Sequence, residues 1–147
     1  MKSIFGKFLI LSFTFFFVSC ASVQLASHSS DSDAKEFHVS SGQAKIYIMR
    51  RNAMLGAALL FDIGLDGQRK GSLAPGSYRV FTVPAGEHRV SVISQENEDV
   101  EKFTAKAGGI YFFDVKSQIG WFVSRASVEQ VSDSTGKEWL KDCRLAN

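Results

Sequence analysis

A chain of 147 residues is long enough for one domain with a real core. The formal net charge of +2 overstates the basic character, because Lys2 and Lys7 lie in a segment expected to be removed, and the chain beyond Cys20 carries as many acidic as basic side chains. A near-neutral chain has no basic face to offer nucleic acid, so that class of partner is not expected.

Residues 1–19 read as a signal peptide. Lys2 and Lys7 form a positive start, and the apolar run 8–18 has signal-peptide length, too short for the roughly 20 residues a membrane-spanning helix needs. The segment ends Phe17-Val18-Ser19-Cys20-Ala21, which resembles the lipobox of bacterial lipoproteins, with Phe17 where leucine is usual. That resemblance implies cleavage after Ser19, a diacylglycerol thioether on Cys20 and an acyl chain on the new amino terminus, with no other cofactor. Two or more acyl chains anchor stably, at ~0.8 kcal/mol per buried CH₂. Ala21-Ser22 after the cysteine, in place of aspartate, implies export to the periplasmic face of an outer membrane.

Residues 20–42 are rich in serine, show no sustained period and read as a flexible tether with a reach of roughly 25 Å. The folded domain is expected over 43–147. Ile46 and Ile48 alternate with Tyr47 and Met49 in a first strand that ends in an exposed Arg50-Arg51. Leu59, Phe61, Ile63 and Leu65 mark a second. Asp66-Gly67 is a two-residue hairpin signal into a short charged edge strand over 68–73. Its register is untidy, since Phe61 and Ile63 then face Ser72 and Lys70. Pro75-Gly76 fits a type II turn.

The stretch 78–93 has two alternating runs around Pro84-Ala85-Gly86 and predicts a three-residue hairpin. Thr82 would then face His88, with a hydroxyl partner for the ring, and Val80 would face Val90. A polar acidic loop follows at 95–99, then a strand at Phe103 and a Gly108-Gly109 turn. An aromatic strand over 110–115 is expected to point Tyr111, Phe113 and Val115 inward and Asp114 outward, before a last strand carrying Ala126 and Val128. Thr135 and Glu138 form a capping-box pattern for a short C-terminal helix. Trp139, Leu140 and Cys143 share one face of it and should pack on the sandwich. The whole predicts an all-β antiparallel sandwich with one short C-terminal helix.

Several motifs occur in order: Ala-Lys-Ile-Tyr-Ile-Met-Arg-Arg at 44–51, Asp-Gly at 66–67, Gly-Ser-Tyr at 76–78 and Val-Pro-Ala-Gly-Glu-His at 83–88. Ala-Gly-Gly-Ile-Tyr-Phe at 107–112 and Gly-Trp-Phe-Val at 120–123 follow, then a cysteine-bearing tail. Over about residues 44–145 the chain resembles the domain of unknown function 2846, found in bacterial lipoproteins. The 78–93 stretch also resembles the PEGA domain, with Ala85 in place of that motif's glutamate. The resemblance implies a PEGA- or prealbumin-like sandwich and brings no established activity.

Chemistry is sparse. His28, His38 and His88 have no metal-ligand spacing, so no metal site is expected, and no serine, histidine and aspartate sit on a recognisable nucleophile elbow. The apolar stretch 119–123 breaks the alternation; such a loop most often folds over an open end of a sandwich and plugs its core, and otherwise presents Trp121 and Phe122 as anchors to a partner or a membrane. The expectation is a non-catalytic, lipid-anchored envelope module, monomeric, whose partner is an envelope protein or glycan. The alternative is an envelope hydrolase acting on glycan or peptide, with Glu96, Glu98, Asp99 and Glu101 supplying acid and base. With Cys20 acylated, Cys143 would be the one remaining thiol, buried and inert.

Overall fold

The described residues form nine strands and two helices. They are α1 (His28–Ala34), β1 (Gln43–Arg50), β2 (Phe61–Leu65), β3 (Gln68–Leu73), β4 (Ser77–Pro84), β5 (Gly86–Ile93), β6 (Glu98–Ala105), β7 (Ile110–Ile119), β8 (Ser124–Val131), α2 (Asp133–Leu140) and β9 (Arg144–Leu145). The computed structural model describes residues 22–120 and 124–147. One sheet has the order β8-β7-β1-β4-β9 and the other β3-β2-β5-β6. The two sheets stack as a sandwich, with most pairs antiparallel and β1–β7 and β4–β9 parallel.

Turn chemistry acts where it was expected. Asp66 and Gly67 both take positive φ, 53° and 79°, as a type I′ hairpin turn requires, and Leu65 pairs with Gln68 across it. The untidy register on this ribbon is repaired by a bulge. The pairing shifts between Asp62 and Gly64, with Gly71 on the opposite strand at φ 103°, so Phe61 opposes Leu73 instead of Ser72. Both side chains are then buried. Gly76, at φ 72°, closes the turn in which the Ala74 carbonyl accepts from Ser77 N–H.

The predicted central hairpin does not form. β4 and β5 belong to different sheets, so Pro84-Ala85-Gly86 is a corner that carries the chain from one layer to the other. The physical reason is backbone pairing. As a two-stranded ribbon each strand would have one partner, whereas here β4 lies between β1 and β9, and β5 between β2 and β6. β1 alone pairs with β4 over eight positions, from Gln43↔Pro84 to Arg50↔Ser77. The Thr82–His88 contact therefore does not exist, and the PEGA-like hairpin is not part of this fold.

The five-stranded sheet is covered on both faces. Toward the other sheet, Ile46, Ile48, Val83, Phe113 and Val115 meet Phe61, Ile63, Val90, Val92 and Phe103. On its outer side, Tyr47, Met49, Tyr78 and Phe112 pack under α1 and α2 with Leu140 and Cys143. This second core explains why β1 and β7 are apolar at successive positions. It also corrects the expectation for Asp114, which shares the face of Phe112 and is only 1% exposed.

The segment read as a flexible tether is tied to the domain from residue 24 onward, with Asp31 and Ala34 buried. The Tyr47 and Tyr78 hydroxyls donate to the carbonyls of Ala34 and Asp31, at 2.6 and 3.3 Å. Asp31 accepts from Leu145 N–H and Lys35, and Lys35 also donates to the Cys143 carbonyl. Phe37 holds a left-handed backbone, φ 59°, at a cost of roughly 1–2 kcal/mol. Edge contacts of its ring with Tyr47 and Phe112 offset that strain. Composition hid this because the anchoring groups are a carboxylate, an amine and main-chain carbonyls, which read as solvated polar residues.

Helix α2 starts one turn before the predicted box. Ser132 is the N-cap and its hydroxyl accepts from Thr135 N–H, so Thr135 occupies the third helical position. Trp139, Leu140 and Cys143 face the sheet as expected.

Candidate functional site

At the end of the sandwich where β2 turns into β3, a concavity of about 650 Å³ opens between that turn and β5–β6. Asp66, Glu87, His88, Arg89, Lys102, Phe103 and Thr104 line it. Strand alternation sets their roles. His88 and Phe103 are cross-strand partners on the inner face, with rings 5.9 Å apart, whereas Arg89 and Lys102 are partners on the outer face.

His88 is held at both nitrogens. Nδ1 lies 2.7 Å from Asp66 Oδ2 and Nε2 lies 2.9 Å from the Pro84 carbonyl. Two acceptors facing one ring suit the imidazolium, which donates from both nitrogens. Burial pulls the His88 pKa down, but the Asp66 and Pro84 hydrogen bonds and the Asp66 charge together raise it above the ordinary value. Burial raises the Asp66 carboxyl, yet His88, the Arg89 N–H and the charges of His88 and Arg89 bring it lower overall. Its other oxygen accepts from Arg89 N–H at 3.0 Å. The clip therefore ties the β2–β3 turn to β5 and to the corner at Pro84. Sequence reading missed it because Asp66 and His88 lie 22 residues apart. A histidine just past one turn and an aspartate inside another were the available signals.

The opposite end has a different character. Met54 is 97% exposed and Ile119 is 84% exposed, and Leu55 and Leu60 are about half exposed. The loop that carries Met54, Leu55 and Leu60 is built on Arg50, which was expected at an exposed strand end and is instead 3% exposed. Its guanidinium donates to the carbonyls of Leu59, Leu73 and Gly56 and to Ser117 Oγ, and stacks 4.2 Å from the Phe61 ring. Burial lowers its pKa to about 10, so the cation persists at neutral pH. Arg51 pairs with buried Asp114 at 3.0 Å and lies 3.7 Å from the Trp139 ring. Burial raises the Asp114 carboxyl against the lowering effect of Arg51.

The acidic residues of 96–101 do not converge. Asp99 is bound to Val128 N–H at 2.9 Å, and strand alternation puts Glu98 on the face of β6 opposite Asp99 and Glu101. Among the described residues no group of three histidine, cysteine, aspartate or glutamate side chains could hold a metal ion, and no helix is long and apolar enough to cross a membrane. Ser19, Cys20, Trp121 and Phe122 lie outside the described residues.

Residues 40–128 match the family described as protein of unknown function, DUF2846. The chain belongs to that family. An uncharacterized protein of Haemophilus influenzae (strain ATCC 51907 / DSM 11121 / KW20 / Rd) is 30% identical over 147 residues, covering 99% of this chain and 87% of the relative. The matched region of this DUF2846 chain runs from just before β1 into β8, so it takes in the whole four-stranded sheet and most of the five-stranded one and leaves out α1, α2 and β9.

Proposed function

We propose that this DUF2846 protein is a bacterial envelope lipoprotein, anchored through Cys20 to the periplasmic face of the outer membrane, whose sandwich is a non-catalytic docking module. The observation that carries the docking role is the apolar end: Met54, Leu55, Leu60 and Ile119 all stand in loops or strand ends on one side of the fold. Grouped exposed apolar side chains mark interaction surfaces, whereas single ones are ordinary. Buried Arg50 gives the loop a fixed shape, so the surface is preorganised for a protein partner. The dispersal of the acidic groups over both faces of β6 favours docking over glycan or peptide hydrolysis, which needs carboxylates aimed at one bond.

Two measurements test this reading. Metabolic labelling with fatty acid should mark the wild type, while Cys20→Ser remains an unlabelled precursor; normal processing of that variant would remove the anchor. Photo-crosslinking residues at positions 54 and 119 should trap a defined envelope protein in growing cells, with none trapped from position 130 on β8. Equal adducts from all three positions, or none, would sink the docking surface.

A further inference from the structure

We infer that the concavity at the Asp66 end is a second site, one that binds the phosphate group of an organic ligand through Arg89 and Lys102. The two cations are direct cross-strand partners on the outer face of β5–β6. Like charges placed opposite one another destabilise a sheet, and a local rule broken inside a concavity points to function. Among the described residues no carboxylate makes an ion-pair contact with either of them. The nearest carboxylate, Asp66, gives one oxygen to His88 and the other to the Arg89 N–H, so its charge acts on the guanidinium without a hydrogen bond to the fork.

The guanidinium lies against the backbone of the β2–β3 turn. A Cβ on Gly67 would stand 2.6 Å from Arg89 Nη2, so a residue with a side chain would displace the fork as well as strain the turn. Asp66 is engaged by His88 and the Arg89 N–H, and Glu87 is the other carboxylate lining the concavity. The Thr104 residue opposite Glu87 adds a neutral hydroxyl donor. An arginine fork beside a lysine point charge is the pairing that suits a phosphate's several oxygens. The 650 Å³ volume exceeds a bare phosphate, so the rest of the ligand would lie beside Thr104, on the same face of β6 as Lys102.

The chemistry fits a lipid headgroup phosphodiester or a soluble phosphate ester, and the inference stands apart from the anchor. Full-length protein isolated from membranes in dodecyl maltoside micelles would be titrated with inorganic phosphate and, separately, with glycerophosphoglycerol, while backbone amide shifts are followed by NMR. Saturable shifts at Gly67, Arg89 and Lys102 are expected, at least tenfold weaker in affinity in Arg89→Gln/Lys102→Gln. Tighter binding of the diester would assign a headgroup, and tighter binding of phosphate a soluble ester. No saturable shift with either probe, or shifts that persist in a double variant whose remote amides are unmoved, would overturn the site. The mass of Cys20 in the same sample reports on the anchor independently.

Discussion

Replacing Gly136 by alanine pits two effects of opposite sign against each other. Glycine in the middle of a helix costs about 1 kcal/mol relative to alanine, so propensity alone predicts stabilisation. Gly136 is buried in α2, however, and an added Cβ would stand 2.6 Å from Phe112 Cδ1 and closer still to that side chain's Cβ and Cγ. Real Cβ atoms do not approach so closely, so either Phe112 leaves its rotamer or α2 lifts from β7. Phe112 cannot yield easily, being 0% exposed and stacked on Tyr47 with ring centroids 5.1 Å apart. Overpacking of a fixed core costs typically 1–3 kcal/mol, about as much as propensity returns or more. We expect Gly136→Ala to be destabilising by about 1 kcal/mol net, a drop of roughly 3–6 °C in Tm for a domain of this size. Thermal unfolding by circular dichroism measures it. A variant more stable than the wild type would mean that α2 does not pack on β7 as described.

The thiol of Cys143 is 1% exposed and burial pushes its pKa up to about 11. Native protein should run as a monomer on non-reducing gels and react with maleimide about 100-fold more slowly than a free cysteine until denaturant is added; fast native labelling would contradict the burial. His88 has its pKa raised in the fold, so its contribution is complete below the unfolded value near 6.5 and fades as pH rises through the folded value. Asp66, lowered in the fold, loses its contribution only as pH falls through its own folded value, below the ordinary carboxylate range. Urea titrations from pH 5 to 9 should show a loss of a few tenths to about 1 kcal/mol, limited by the 45% exposure of the Asp66 side chain, that Asp66→Asn abolishes. An unchanged profile in the variant would break the clip. Arg50→Met should expose the loop at 51–60 to proteolysis, since it removes the donor shared by Leu59, Leu73 and Gly56; equal cleavage rates would refute that role.

Local chemistry was legible and pairing was not. Asp66-Gly67, Pro75-Gly76 and Gly108-Gly109 announced their turns because positive φ at a glycine is a property of a few adjacent atoms. Alternation gave the strands and the sandwich class for the same reason. Pro84-Ala85-Gly86 misled because a corner between layers and a hairpin ask for the same residues, and only the partners waiting on either side decide between them. Tyr47, Met49 and Phe112 carried a readable signal of a second core, since a strand apolar at successive positions must be covered twice. What covers it, α1 with its Asp31 and Lys35, looked like solvent-facing tether. Of the concavity, His88 alone stood out in the sequence, and its true partner Asp66 had already been assigned to a turn.

The packed N-terminal segment changes what an anchor at Cys20 would do. A free tether over 21–42 would let the domain drift some 25 Å from its membrane in any orientation. Instead Asn147 N–H donates to the Gln24 carbonyl and Leu25 bridges Ala146, so four peptide units separate Cys20 from the first residue bound to the fold. Fully extended, that spans at most about 14 Å. Strands of eight residues run roughly 27 Å from one end of the sandwich to the other, so the linker is shorter than the domain. The edge formed by β9 would then be tied near the headgroups, with the apolar end and the Arg89–Lys102 concavity held at opposite ends of a body that cannot turn freely. An anchor of this length would set orientation as well as location. It is the pairing of Gln24 and Leu25 with the C-terminal segment, and not the lipid, that would keep it short. The contacts of Asp31 and Lys35 with Leu145 and Cys143, and of the two tyrosines with α1, back that pairing.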